Sequence, residues 1–145
     1  MTIGRQFYSP STKVFVNGTF DLLHRGHLEL LNYAKSLGDR VYVGIDSDRR
    51  VAEMKGDSRP IYNVDDRKYF LENLKAVHRV AVFDNDAQLE AMVQFIQPHV
   101  MVVGSDWKGK SVIGSYYAAK LVFFDRVGDY ATTETVQSII DRRDL

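Results

Sequence analysis

Cysteine is absent from this 145-residue chain, which removes disulfides, thiolate metal sites and cysteine nucleophiles together. That absence fits a reducing compartment such as the cytoplasm. Net charge is missing too, since 19 Lys and Arg balance 19 Asp and Glu. Without a dense basic run a large nucleic-acid footprint is not expected, although a pocket for a few phosphates needs only local charge. No apolar stretch approaches the roughly 20 residues of a membrane span; the longest are strand-sized pieces such as Val100 to Val103. Residues 1–12 are polar, contain Pro10 and lack the apolar core of a signal peptide, so they are read as an N-terminal extension. Repeats and low-complexity tracts are also lacking.

What is there has the make-up of a globular chain, 45% hydrophobic and 26% charged, and residues 13–145 are expected to form a single domain. Short β-branched runs alternate with amphipathic stretches, the pattern of βα units around a buried parallel sheet. Five strands are expected near Lys13 to Asn17, Arg40 to Asp46, Arg79 to Phe83, His99 to Val103 and Lys120 to Phe124. Helices are expected over Gly26 to Leu37, ending at Gly38, over Val64 to Lys75 with Tyr69, Phe70 and Leu74 inward, and over Ala87 to Gln97. A last helix is expected from Thr133, with Val136, Ile139 and Ile140 inward. Right-handed connections then give a Rossmann-like α/β three-layer sandwich with its ligands at the carboxyl ends of the strands.

The first strand runs into Asn17-Gly18-Thr19-Phe20-Asp21-Leu22-Leu23-His24-Arg25-Gly26-His27 and then into a helix. Gly18 lets backbone approach a ligand, and the free amides of a helix start favour phosphate. His24 and His27 flank Gly26, whose missing side chain leaves room for a phosphate or a base. Two such donors suit the crowded α-phosphorus of nucleotidyl transfer, where extra negative charge develops on the oxygens. Two histidines at this spacing also suit zinc, but no third ligand of the usual kind lies nearby, so no metal site is assigned. His78 and His99, at strand starts, are read as structural.

Further charge sits in loops. Lys55-Gly56-Asp57-Ser58-Arg59-Pro60 offers Lys55 as a point charge, and Arg59 and Arg67 offer planar forks for phosphate or a base edge. Gly104-Ser105-Asp106-Trp107 follows the fourth strand, where Trp107, the one tryptophan, can edge a base pocket. Thr132 and Thr133 open the last helix, as caps or as phosphate donors.

The eleven-residue segment resembles the H-x-G-H signature of the cytidylyltransferase-like nucleotidyltransferase superfamily, which includes glycerol-3-phosphate cytidylyltransferases and the adenylyltransferase domain of ADP-heptose synthases. The resemblance runs from Lys13 to Ile140. It implies that Gly18, Thr19, Phe20, Gly26, Arg67, Gly104, Asp106, Trp107, Thr132 and Thr133 contact the nucleotide and that Asp21, Lys55 and Arg59 contact the acceptor. His24, His27, Lys55 and Arg126 would carry the chemistry, with Arg126 on the leaving pyrophosphate. The Arg126-to-Thr133 segment departs from the family pattern R-T-x-G-I-S-T-T: Asp129-Tyr130 stands for glycine-isoleucine and Ala131 for serine.

The expected reaction joins a nucleoside monophosphate from a triphosphate to a phosphorylated small molecule, with magnesium carried by the triphosphate. The D-W-x-G-K string (Asp106, Trp107, Lys110) and the Arg126-to-Thr133 spacing resemble the CTP enzymes with glycerol 3-phosphate or a similar polyol phosphate, the favoured reading. K-G-D-S-R-P resembles the ATP enzymes acting on a sugar 1-phosphate. A non-catalytic nucleotide-binding module is the rival of another class. The resemblance further implies a cytoplasmic homodimer.

Overall fold

The computed structural model describes residues 11–128 and 130–143, so most of the N-terminal extension and Asp129 lie outside the described residues. Five strands, β1 (Lys13–Gly18), β2 (Arg40–Asp46), β3 (Arg79–Phe83), β4 (Val100–Gly104) and β5 (Lys120–Phe124), alternate with helices α1 (Arg25–Ser36), α2 (Asp48–Lys55), α3 (Val64–Glu72), α4 (Asp86–Ile96) and α5 (Thr132–Arg143). All pairings are parallel, in the order β3-β2-β1-β4-β5. The expected Rossmann-like sheet is what forms. The strand order reverses between β1 and β4, and in open parallel sheets a crevice opens outside the carboxyl ends of the strands at such a point. Gly18 and Gly104 end those two strands.

Strand alternation divides the core. Val14, Val16, Val41, Val43, Ile45 and Val102 pack on one side with Leu31 and Ala34 of α1 and Leu71 of α3. Phe15 and Met101 turn to the other, against Leu89 and Val93 of α4. Ser47, Asn63 and Asn85 cap α2, α3 and α4, each accepting the amide N–H three residues on, the preferred chemistry for satisfying a helix's free donors.

Two helices differ in phase from expectation. In α3 the buried positions are Arg67 and Leu71, which turns Tyr69, 65% exposed, and the 39% exposed Phe70 outward. An arginine holds the inward position because its guanidinium meets carbonyls there. In α5 no residue is buried, and Ile139 is 63% exposed. Helix α2 was not expected: its eight residues carry one buried apolar side chain, Val51, too few for a periodic signal.

Candidate active site

Helix α1 begins at an unusual N-cap. His24 occupies the position normally given to Ser, Asp or Asn. The backbone N–H of His24 donates to Nδ1 of His27 at 3.2 Å, so the His27 ring does what a glutamate does in a capping box. A nitrogen that accepts a hydrogen bond carries no proton, which leaves the proton of neutral His27 on Nε2. Burial, then the neighbouring His24 and Lys55, push its pKa down to about 4 against the opposing pull of Asp21. His27 is therefore a neutral Nε2–H donor near pH 7.

The two imidazoles stack with centroids 3.8 Å apart and planes 21° apart. Phe20 backs His27 at 5.3 Å. The pKa of His24 is also lowered, by burial first and by the Arg126 charge second. A Cβ at Gly26 would lie 2.9 Å from His24 Cε1 and 3.2 Å from Tyr130 Cβ. The missing side chain lets the His24 ring pack close to the helix start, and Gly26 itself lines the main cavity.

Both histidines face a cavity of about 310 Å³, into which Lys55, Arg126, Thr132, Thr133 and Gly104 also open. Five elements and the segment after β5 converge there: α1, the end of α2, the ends of β4 and β5 and the start of α5. Two cations and a helix N-terminus around paired imidazole donors make a polyanion site suited to charge building on phosphorus. Among the described residues no group of three His, Cys, Asp or Glu could hold a metal.

Residues 15–123 match the model of the family described as cytidylyltransferase-like. The chain belongs to that family. It is 45% identical over 126 residues to Bifunctional protein HldE of Sulfurimonas denitrificans, covering 87% of this chain and 26% of the relative. The corresponding protein of Aliarcobacter butzleri is 42% identical, again over 87% of this chain and 26% of the relative. The chain thus spans about a quarter of the length of these curated relatives. The lipopolysaccharide core biosynthesis protein of Thermoplasma volcanium shares the fold, with a TM-score of 0.60, 23% identity and coverage of 84% of this chain and 100% of that one.

Not every residue that the motifs single out reaches the cavity of this cytidylyltransferase-like domain. Arg67, expected at the nucleotide, is 0% exposed. Its guanidinium donates to the carbonyls of Tyr62, Thr19 and Asp46 and to Asp48 Oδ1, at 2.8–3.0 Å. Its fork is filled by the protein, so the assignment to nucleotide is corrected to one of support: it ties together the ends of β1 and β2. Asp21, expected at the acceptor, is 2% exposed and accepts the amide N–H groups of Ile61 (2.6 Å) and Tyr62 (2.9 Å). Phe20 is core, and its ring fills the space a Cβ on Gly18 would need. Thr19 donates to Asp46 Oδ2 at 3.3 Å.

Thr132 Oγ1 donates to the Asp21 carbonyl at 2.5 Å, pinning the start of α5 to the H-x-G-H loop. Across the same rim Arg59 Nη2 donates to Thr133 Oγ1 at 3.1 Å. Arg59 Nη1 is a buried donor with no acceptor among the described residues. Trp107, 49% exposed, borders a separate depression of about 120 Å³ with Asn17 and Arg50, which shares only Gly104 with the main cavity. Asp106 stands exposed on the same short 3-10 turn. His99 accepts the Lys13 amide on Nδ1, a structural use, and His78 packs edge-on against Tyr42.

Sequence reasoning missed Asp46. Its carboxylate takes Thr19 and Arg50, and Arg50 bridges on to Asp86. The available signal was an acidic residue ending a strand beside the switch point, too common a feature to single out alone.

Proposed function

We propose that this domain transfers an adenylyl group from ATP to a sugar 1-phosphate and releases pyrophosphate. The observation that carries this is the position of the K-G-D-S-R-P segment, which resembles the ADP-heptose synthase branch. Lys55 opens onto the histidine cavity and Arg59 bonds Thr133 on its rim. Trp107, from the string that favours CTP with glycerol 3-phosphate, borders the other depression. Identity of 42–45% along most of the chain to proteins named HldE, whose adenylyltransferase domain fits this reading, supports the same choice.

In the proposed reaction an oxygen of the acceptor phosphate attacks the α-phosphorus in line. The new P–O bond forms as the bond to pyrophosphate breaks, and its electron pair leaves with pyrophosphate. His27 donates from Nε2 to the α-phosphoryl oxygens, with His24 stacked beside it, and both donors are held before the charge appears. Lys55 neutralises acceptor and triphosphate, and Arg126 with the α5 amides holds the departing phosphates. The acceptor phosphate is already an anionic nucleophile, so no general base is required. Magnesium bound by the triphosphate would supply further charge neutralisation to its oxygens. The resemblance also supports a cytoplasmic homodimer, which sedimentation analysis would reject by finding only monomer.

Pyrophosphate release, measured for ATP and CTP against sugar 1-phosphates and glycerol 3-phosphate, tests the assignment. Turnover is expected with ATP and a sugar 1-phosphate. Turnover confined to CTP with the polyol phosphate would move the domain to the other branch, and tight NTP binding without any turnover would make it a binding module.

A further inference from the structure

His24 and His27 are held in different ways. The hydrogen bond from the His24 amide fixes the His27 ring. His24 Nδ1 is buried and makes no hydrogen bond of ordinary geometry, its side chain meeting only the backbone N–H of His27 in a loose capping-box contact, so stacking shares in setting the rotation of that ring. One face of His24 lies on His27 at 3.8 Å. Its other stacking partner is Tyr130, with centroids 6.1 Å apart and planes 22° apart. Tyr130 thereby ends a column that runs Phe20, His27, His24, Tyr130.

Tyr130 is itself seated. Its Cβ lies 3.2 Å from where a Cβ on Gly26 would be, so it rests against the first turn of α1. Its ring covers Gly128, where a Cβ would meet Tyr130 Cε2 at 2.8 Å. It also borders the main cavity together with Arg126. This is one of the positions where the chain departs from the R-T-x-G-I-S-T-T pattern, an aliphatic side chain being replaced by a flat aromatic one. A flat ring can lie parallel to an imidazole and limit its rotation, which a branched aliphatic chain does less well.

We propose that Tyr130 is a positioning residue for His24, acting through the ring stack to hold the imidazole edge towards the α-phosphate. The assignment rests on the adenylyl-transfer reading only for the role of His24. The ring stack itself can be tested without substrate.

The experiment follows the imidazole NMR signals of His24 and His27 through a pH titration in the wild-type protein and in Tyr130→Ala, Tyr130→Leu and Tyr130→Phe. The charged and titratable groups near the pair are Arg126 after β5, Lys55 on α2 and Asp21 in the loop before α1. None of them is altered. Removing the ring should admit water to His24 and raise its midpoint towards the ordinary histidine value of about 6.5, with His27 moving less. Tyr130→Leu should raise it partly, and Tyr130→Phe should leave it in place. With the reaction partners added, Tyr130→Ala should lower kcat about tenfold while NTP affinity changes less than about threefold, and Tyr130→Phe should restore kcat. An unchanged His24 midpoint in folded Tyr130→Ala and Tyr130→Leu overturns the inference. So does a loss confined to NTP affinity, because Tyr130 would then only hold the Arg126 segment. The midpoint needs no turnover, so it stays decisive even if adenylyl transfer is not the reaction.

Discussion

Arg67 and Arg126 sit at opposite extremes of the same site. Arg67 is sealed beneath the H-x-G-H loop, with three carbonyls and a carboxylate around its guanidinium. Arg126 is exposed on the cavity rim and influences His24 through its charge. The first belongs to a hydrogen-bonded base that also contains Asp21 and Asp46. The second belongs to an open rim with Lys55 and the start of α5. The base shapes the loop, including Phe20 and Leu22, which hold the left-handed backbone conformation that side chains other than glycine rarely adopt. The rim leaves its charge facing the open cavity. Identical side chains therefore differ in whether the protein or the solvent fills the fork, and under the proposed function only the solvent-facing one is left for a phosphate.

The largest effect expected from breaking this contrast is Arg67→Ala. It strands three buried carbonyls and should cost about 3–5 kcal/mol of stability, measured by urea unfolding. Arg67→Lys should restore little, because an ammonium cannot span acceptors arranged for a planar fork. A folded Arg67→Ala protein of wild-type stability that had lost only NTP affinity would return Arg67 to the nucleotide.

His24→Ala and His27→Ala should each lower turnover roughly 10²–10³-fold, the scale for one preorganised donor. Ground-state NTP affinity should fall far less, since the charge they stabilise exists mainly in the transition state. Single-turnover kinetics separates the two. Undiminished turnover in both folded variants would remove the pair from the chemistry.

His27 also links the site to stability. Unfolded, it takes its proton near pH 6.5; folded, it does so only near 4. Between those values the unfolded state binds more protons, so His27 contributes stability that is fully present above pH 6.5 and lost as pH falls towards 4. The contribution amounts to about 3 kcal/mol. Unfolding curves across this range should show a shallower pH dependence in His27→Gln than in the wild type, and parallel dependences would place the acid sensitivity elsewhere.

Arg126→Ala should be the mildest of these changes. Stability should hold, and NTP affinity should fall about tenfold, more than affinity for the monophosphate, because its charge is assigned to the distal phosphates. Equal losses for the two ligands, measured by calorimetry, would shift Arg126 to the α-phosphate.

Much of this was legible in the chain itself. Alternating apolar strands and capped helices dictate a parallel α/β sheet, because only that arrangement buries near-continuous runs such as Val100 to Val103 on both faces. The H-x-G-H segment between a strand and a helix pointed to the end of the sheet where the main cavity opens, and the absence of cysteine narrowed the chemistry expected there. Which polar residues face the ligand was not legible. Arg67 and Arg59 look alike as letters, and so do Asp21 and any solvent-facing carboxylate. Their roles follow from partners distant in sequence: Arg67 meets Thr19 across 48 positions, Asp21 meets Tyr62 across 41, and Thr132 meets Asp21 across 111. Local periodicity carries the pattern of burial, but whether a charged group's hydrogen-bonding capacity is satisfied by the protein or left for a ligand is decided only when those segments meet.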